Sequence, residues 1–205
     1  MYKIDIKQGS YEWHKLRQGK ITGTSLKSAL GSAKVQETLC YKIISEKMTE
    51  TQIIEINSAA VIRGSELELF AKNKIIKETE IPFLETGVLG SKDYSDFIIS
   101  PDAIYEKKGV VVGGLEIKCP DSKKHVEYLM KGELPKEYYH QILAPFLLSD
   151  DVQWWIFASY DDRNYEKPLS MLKLTRNYFI DIANHRKKLK CYIKDVNAKY
   201  EKLTF

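Results

Sequence analysis

The sequence lacks any continuous apolar run of 18 residues, and its first ten residues, MYKIDIKQGS, contain no apolar core typical of a secretory leader. A membrane span and secretion are therefore not expected. Cysteine is also scarce, because the 205 residues include only Cys40, Cys119 and Cys191, which lie far apart. Three separated cysteines provide no disulfide framework, no zinc motif and no four-cysteine cluster. This usage favours a reducing, cytoplasmic setting.

The composition is ordinary for one globular domain, with 43% hydrophobic and 29% charged residues. Because the chain shows no repeat, low-complexity tract or linker, we expect a single domain over residues 1–205. The net charge of +4 is unevenly placed, since eight Lys or Arg stand against three Asp or Glu from Arg176 onwards. This basic segment fits either a contact with a polyanion or a solvated helix face, and the charge alone does not separate the two.

The spacing of apolar residues predicts helices and strands in a mixed order. A short helix should begin after Ser10 and end before Gly19, and a second should begin at Thr24 or Ser25. The longer predicted elements are helices over 36–49, 57–78, 136–148 and 175–203, a strand over 79–87, a hairpin over 96–118 and a strand over 152–161. Pro145 should bend or end its helix, and Gly113-Gly114 should mark a bulge. The order predicts an α/β (α+β) fold with a central mixed sheet flanked by helices.

Two opposite charges stand at the end of the Val-rich second strand of the hairpin. Glu116 and Lys118 are two residues apart, so they share one face of the strand, and the hairpin returns Asp102 towards them. Neighbouring carboxylates repel each other and need a counter-charge, which a hard divalent cation such as Mg²⁺ supplies. A cation in that place could polarise a phosphoryl oxygen, with Lys118 beside it. The alternative is an Asp in a turn beside an ordinary Glu–Lys pair.

Five segments carry a family resemblance, in matching order over about residues 8–165. They are QGSYEWHKLRQGKITGTSL, RGSELELFA, SPDAIYEKKGVVVGGLEIKCP, YYHQILAPFLL and WWIFASYDDR. Together they resemble the lambda-type exonucleases, or YqaJ-like viral recombinase family, in the PD-(D/E)xK nuclease superfamily. This resemblance implies a restriction-endonuclease-like core. The chain departs from the family in having Ala103 after Asp102 and Pro145 in the glutamine helix.

The resemblance assigns roles to nine residues. For the catalytic and metal site these are Asp102, Glu116, the backbone carbonyl of Ile117, Lys118, Glu68 and Gln141; for the 5′-phosphate they are Arg17, Ser25 and Ser100. Glu66 is a neighbouring candidate, but the four-residue step from Gly64 favours Glu68. Without the family, Glu68 reads as a solvent-facing helix acid, Arg17 as a surface residue at a helix end and Ser25 as a helix cap.

The implied activity is 5′→3′ digestion of linear double-stranded DNA, with Mg²⁺ or Mn²⁺, two ions in all, as cofactor. It leaves 3′ single-stranded overhangs for recombination in a bacterial cell or a phage-infected host. The resemblance also implies a single-strand annealing protein as partner and a ring-shaped homotrimer around DNA. Two alternatives are a structure- or site-specific endonuclease on the same core and an inactive module that binds DNA ends. The presence of Asp102, Glu116 and Lys118 argues against the inactive module.

Overall fold

Strands and helices alternate along the computed structural model, which describes residues 1–50 and 59–204. The helices are α1 (Tyr11–Arg17), α2 (Leu26–Ala29), α3 (Ala33–Met48), α4 (Ala59–Thr79), α5 (Ser122–Lys131), α6 (Tyr139–Leu148) and α7 (Ile182–Thr204). The strands are β1 (Tyr2–Ile4), β2 (Ile21–Thr22), β3 (Val88–Ser91), β4 (Tyr94–Ile99), β5 (Ala103–Lys107), β6 (Val110–Lys118), β7 (Trp154–Tyr160) and β8 (Leu169–Thr175). None of these helices is both long and apolar enough to cross a membrane.

The described strands form two mixed four-stranded sheets rather than one. The first has the order β1-β3-β4-β2, and the second has the order β5-β6-β7-β8. In the second sheet β6 is antiparallel to β5 and parallel to β7, so the end of β6 lies in the interior of the sheet. The α/β fold class is thereby confirmed, with its charged strand end held by neighbours on both sides.

The hairpin expected over 96–118 is confirmed only for β5 and β6, because residues 96–99 belong to β4 of the first sheet, and its glycine pair has a specific packing role. A Cβ on Gly113 or Gly114 would collide with the indole of Trp154 or Trp155 on β7. The pairing register also shifts beside Gly113, so a bulge lies where the glycine pair predicted one. Two tryptophan rings can therefore lie flat on β6, and this fixes β6 against β7 up to its charged end.

Several predicted boundaries need correction. Residues 79–87 were expected to form a strand, but they contain only an isolated bridge from Leu84 to Ile104, because Pro82 has no donor for a ladder. The expected helix over 175–203 begins at Ile182, after β8 and a short 3₁₀ turn. The first two positions of the helix expected over 57–78 lie outside the described residues. Strands β1, β2, β3 and β8 and helix α5 were not anticipated.

Helix α6 is the most buried helix near the charged strand end. Every residue from Ile142 to Leu148 is buried, and Pro145 lies within the helix rather than ending it. Arg176 and Arg186 donate to carbonyls at and just beyond its C-terminal end, which supplies donors for backbone oxygens that the helix leaves unpaired. The partly buried first turn of α6 is thus held rigidly beside β6.

Candidate active site

The carboxylate of Glu116 is the centre of a polar cluster at the end of β6. Glu116 is only 5% exposed, and one of its oxygens, Oε1, accepts hydrogen bonds from Nζ of Lys118 and from Nε2 of Gln141 on α6. The ring of Tyr138 lies 5.3 Å from the Lys118 nitrogen and adds a second favourable contact for the cation. Three residues that the sequence singled out for catalysis are thus brought into direct contact.

Asp102 approaches the same strand from the start of β5. Its Oδ2 accepts a hydrogen bond from the backbone N–H of Ile117, and its own N–H donates to the Leu115 carbonyl at 3.2 Å. Because the N–H and C=O of one strand residue point towards the same neighbouring strand, the Ile117 carbonyl faces the side on which Asp102 lies. The side chains of Leu115 and Ile117 lie on the face of β6 opposite to Glu116 and Lys118, where they join an apolar cluster with α4.

Glu68 reaches the site from α4 across a neighbouring groove. The side chains of Leu67, Ala71 and Ile75 bury one face of α4. Glu68 lies at the edge of this face, where it and Asp102 line a groove of about 760 Å³. Glu66 is exposed and does not line that groove, so the structure favours Glu68 of the two candidates.

The pKa values of the three carboxyl groups, Asp102, Glu116 and Glu68, are all raised. Burial raises the pKa of Asp102 well above its ordinary value, and the charges of Glu116 and Glu68 raise it further. Burial also raises the pKa of Glu116 and of Glu68. Burial alone would lower the pKa of Lys118, but Glu116 and Asp102 outweigh it, so the net pKa lies above normal and the ammonium stays protonated. The positive charge of Lys118 therefore interacts with three carboxyl groups, Asp102, Glu116 and Glu68.

The donor chemistry of this cluster fits a hard divalent cation. Asp102 and Glu116 offer carboxylate oxygens whose pKa values are raised by burial, and for Asp102 also by neighbouring negative charge, and Glu68 adds a third carboxylate across the groove. Within residues 1–50 and 59–204, however, no three Asp, Glu, His or Cys side chains are gathered closely enough to enclose an ion. Asp102 and Glu116 are therefore the pair best placed to hold a metal, with Glu68 as the more distant ligand.

A second polar group adjoins the carboxylates in the same cavity. Arg17 of α1 donates to Oγ of Ser100 at 2.9 Å, and Nε1 of Trp13 donates to the same oxygen at 3.0 Å. The guanidinium lies over the Trp13 ring, 4.0 Å from its centre. All three residues line a cavity of about 220 Å³ with Asp102 and Glu116. A guanidinium cation and a carboxylate pair thus share one small cavity.

Comparisons with known proteins agree with this geometry. The model of the YqaJ-like viral recombinase domain matches residues 12–150, which is more than half of the chain and includes all nine candidate residues taken from the sequence. The chain belongs to the YqaJ-like viral recombinase family. A search of curated proteins finds no match.

The solved structures that are similar to this YqaJ-like chain include an alkaline exonuclease. LHK-Exo from Laribacter hongkongensis superimposes with a TM-score of 0.84 at 28% identity, covering 95% of this chain and 96% of the other. Its complex with dAMP gives a TM-score of 0.83 with the same identity and coverage. A phage related exonuclease from Haemophilus somnus 129PT has a TM-score of 0.61 at 11% identity, over 93% and 97% of the two chains, and supports the fold alone.

Ser25 takes a different position in this YqaJ-like domain from Ser100. Its Oγ accepts from the N–H of Thr22 at 2.8 Å and so closes the turn before α2. It lines an adjoining cavity of about 600 Å³ on the other side of Arg17, and among the described residues it makes no hydrogen bond to Arg17 or Ser100. Ser25 therefore remains a predicted phosphate ligand that would act from the far side of Arg17.

Two residues of the site escaped sequence reasoning. Trp13 contacts both Arg17 and Ser100. Gln8 donates to the carbonyls of Thr86 at 3.0 Å and of Pro101 at 2.8 Å, so it fixes the turn that presents Asp102. The indole N–H of Trp13 was a signal that could have been followed, since a partly buried indole needs an acceptor. Nothing local marks Gln8.

Proposed function

We propose that the protein is a divalent-metal-dependent 5′→3′ exodeoxyribonuclease acting on linear double-stranded DNA. The observation that carries the proposal is the single cavity that joins Asp102 and Glu116 to the Arg17–Ser100 pair. Such a cavity can hold a terminal phosphate at one end and a scissile phosphodiester at the other. The likeness to an alkaline exonuclease over 95% of the chain supports the same reaction class.

In this proposal each side chain has a defined task. Asp102, Glu116, the Ile117 carbonyl and Glu68 would hold the ions, Mg²⁺ or Mn²⁺, of which we propose two. When bound, such a cation supplies positive charge that stabilises the phosphorane-like transition state. Lys118 keeps its proton and can donate to an oxygen that gains charge during cleavage.

Gln141 supplies a neutral donor next to the same carboxylate. Its Nε2 donates to Glu116, and its amide oxygen remains available to accept from a water molecule. Because α6 is buried along most of its length, the amide is held in one place rather than sampling many rotamers. We infer that Gln141 orients the attacking water.

The direction of digestion would follow from Arg17. Burial lowers the pKa of its guanidinium to about 10, while Glu46 opposes that shift, so it remains charged at neutral pH. One nitrogen, NH1, is used by Ser100, and the remaining N–H groups can form the two-pronged contact that phosphate favours. A 5′-phosphate held there would place the first phosphodiester near Lys118 and leave a 3′ overhang after repeated cleavage.

Assembly and partnership are the remaining parts of the proposal. A chain of 23.7 kDa is too small to surround a duplex alone, so we propose a homotrimeric ring with closed rotational symmetry. The overhang would be passed to a single-strand annealing protein. Static light scattering at micromolar concentration in moderate salt should give three times the chain mass. A monomer mass combined with distributive digestion would exclude the ring.

The decisive test uses end-labelled linear duplexes that carry either a 5′-phosphate or a 5′-hydroxyl. We expect digestion from the 5′-phosphate end in Mg²⁺, slower digestion of the hydroxyl duplex and none in EDTA. A covalently closed plasmid serves as the control, because an exonuclease leaves it intact whereas an endonuclease cuts it. Cleavage of the closed plasmid, or equal rates with and without EDTA, would contradict the proposal.

A further inference from the structure

Arg63 connects α4 to the loop that follows β7. It lies five residues before Glu68, and its NH2 donates to Oδ1 of Asp161 at 2.9 Å and also contacts Asp162. The side chain of Asp161 is fully buried, whereas that of Asp162 is 46% exposed. Helix α4 is therefore attached to the second sheet by a buried ion pair close to the turn that carries Glu68.

The same buried carboxylate also holds the end of β6. Nε of Arg163 donates to Oδ1 of Asp161 at 2.8 Å, and its NH2 donates to the Pro120 carbonyl at 3.4 Å. Pro120 follows Lys118 by two residues, and Lys118 pairs in register with Ser159 on β7. Asp161 thus joins α4 to the ends of both strands.

Among the described residues α4 also has an ion pair between Lys72 and Glu85, but the side chain of Glu85 is 79% exposed, so this pair fixes the helix weakly. The contact of Arg63 with buried Asp161 is the firmer directional contact of α4. Leu67, Ala71 and Ile75 bury its inner face, and apolar contacts depend little on direction. A shift by one residue along the helix would move each side chain by about 1.5 Å along the axis and turn it by about 100°. Such a shift would remove Glu68 from the groove. A guanidinium that binds a fixed carboxylate prevents it.

The ion pair is also built to persist. Burial alone would raise the pKa of Asp161, but hydrogen bonds from Arg163 and Ser122 lower it to about 2. The carboxylate is therefore charged throughout the pH range in which the protein would work. Arg63 therefore faces a carboxylate that stays ionised, and because the Asp161 side chain is fully buried, water reaches this contact only from the arginine side.

We propose that Arg63 is a positioning residue for Glu68. The ion pair between Arg63 and Asp161 sets the rotation of α4 and its position along the helix axis. The Glu68 carboxylate can then reach a divalent cation held by Asp102 and Glu116. This inference rests on the proposed metal-dependent function. It assigns to the Asp-Asp-Arg sequence after β7 a role in metal binding through α4, although none of its side chains lines the carboxylate cavity.

The experiment measures Mn²⁺ binding to the full chain by electron paramagnetic resonance, without DNA and without turnover. Loss of an outer partner of a metal site weakens metal affinity by about 10–100-fold, so R63A should raise the Mn²⁺ dissociation constant about 10-fold. K74A is the matched control, because it also removes a positive charge from α4 but breaks an ion pair, with Glu78, that lies within the same helix. We expect K74A to change Mn²⁺ affinity by less than about 3-fold.

A second arm asks whether Arg63 acts through Glu68. E68Q should weaken Mn²⁺ binding, and R63A added to E68Q should cause no further loss. If R63A does not fold, R63K keeps the charge without the fork and should give an intermediate loss. Equal losses in R63A and K74A, or an additional loss in the double variant, would overturn the inference. A wild-type chain that binds no Mn²⁺ would overturn the metal proposal itself, before any variant is compared.

Discussion

Replacing Asp102 by Asn should stabilise the metal-free protein while it destroys activity. Burial and the charges of Glu116 and Glu68 raise the pKa of Asp102, which means that the folded state tolerates the carboxylate poorly without a cation. Asn has the same shape, and its amide oxygen can still accept the hydrogen bond from the Ile117 N–H. The substitution therefore removes the repulsion and keeps the backbone contact.

The size of the effect follows from the balance of these terms. A substitution that removes an unfavourable charge kept for function commonly raises the free energy of unfolding by about 0.5–2 kcal/mol. In a chain of this length 1 kcal/mol shifts the melting temperature by about 2–4 °C, so D102N should melt about 1–8 °C above wild type in EDTA. Saturation with a cation at 100 times its dissociation constant stabilises wild type by about 2.7 kcal/mol, which should reverse the order.

The pH dependence of this difference has a definite sign. The folded-state pKa of Asp102 lies above the unfolded value of about 3.9, so the folded state binds the proton more tightly. Wild type must then lose stability relative to D102N as the pH rises from about 4 through the folded-state pKa. Asn does not titrate. The advantage of D102N should be small near pH 5 and larger at pH 8.

Thermal unfolding followed by circular dichroism measures this difference directly, at both pH values, with EDTA and with Mg²⁺. Asp93→Asn is the control, because Asp93 is exposed in the β3–β4 turn and should leave the melting temperature unchanged. A D102N variant that melts below wild type in EDTA at pH 8 would refute the reasoning. That result would mean that protein donors already compensate the carboxylate.

Three further predictions concern single residues. Lys118→Ala should lower single-turnover cleavage about 100-fold or more, whereas Lys107→Ala, at the exposed end of the same hairpin, should cut normally; equal rates would exclude Lys118 from the chemistry. Arg17→Ala should abolish the preference for 5′-phosphate over 5′-hydroxyl ends, and Lys15→Ala on the exposed side of α1 should retain it. Gly114→Ala should reduce the free energy of unfolding by about 1–3 kcal/mol in urea titrations, because its Cβ would meet a tryptophan ring, and an unchanged midpoint would argue against that packing.

Local signals in the sequence were sufficient to predict those elements whose ends are marked by cap or turn residues. Ser10 caps α1 through its hydroxyl, which accepts from the N–H of Trp13, and Gly19 follows with a positive φ of 68°. The hairpin before β6 has Lys108 and Gly109 at its turn, both with positive φ. Each of these features is decided within a few residues, so a short stretch of sequence contains the information needed to predict it.

Elements that depend on distant partners could not be predicted in this way. Strands β1 and β2 have three and two residues, too few to show alternation, and they exist because β3 and β4 pair with them. Strand β8 forms along β7 and includes only Thr175 of the helix expected over 175–203, and the next residues form a 3₁₀ turn before Ile182. Helix α5 is different, because Asp121 and Gly132 cap it at its two ends and these local signals could have predicted it.

The residues of the candidate site also fall into two groups, those that a short stretch of sequence indicates and those that depend on distant partners. Glu116 and Lys118 are two residues apart on one strand, and their opposite charges were visible in the sequence without any tertiary information. Gln141 reaches Glu116 from 25 residues away, Ser100 reaches Arg17 from 83 and Asp161 reaches Arg63 from 98. These contacts depend on sheet order and helix packing, which local patterns do not encode. A substitution at Glu116 or Lys118 should therefore act mainly on the chemistry, whereas one at a distant partner such as Asp161 should also loosen the packing that brings the site together.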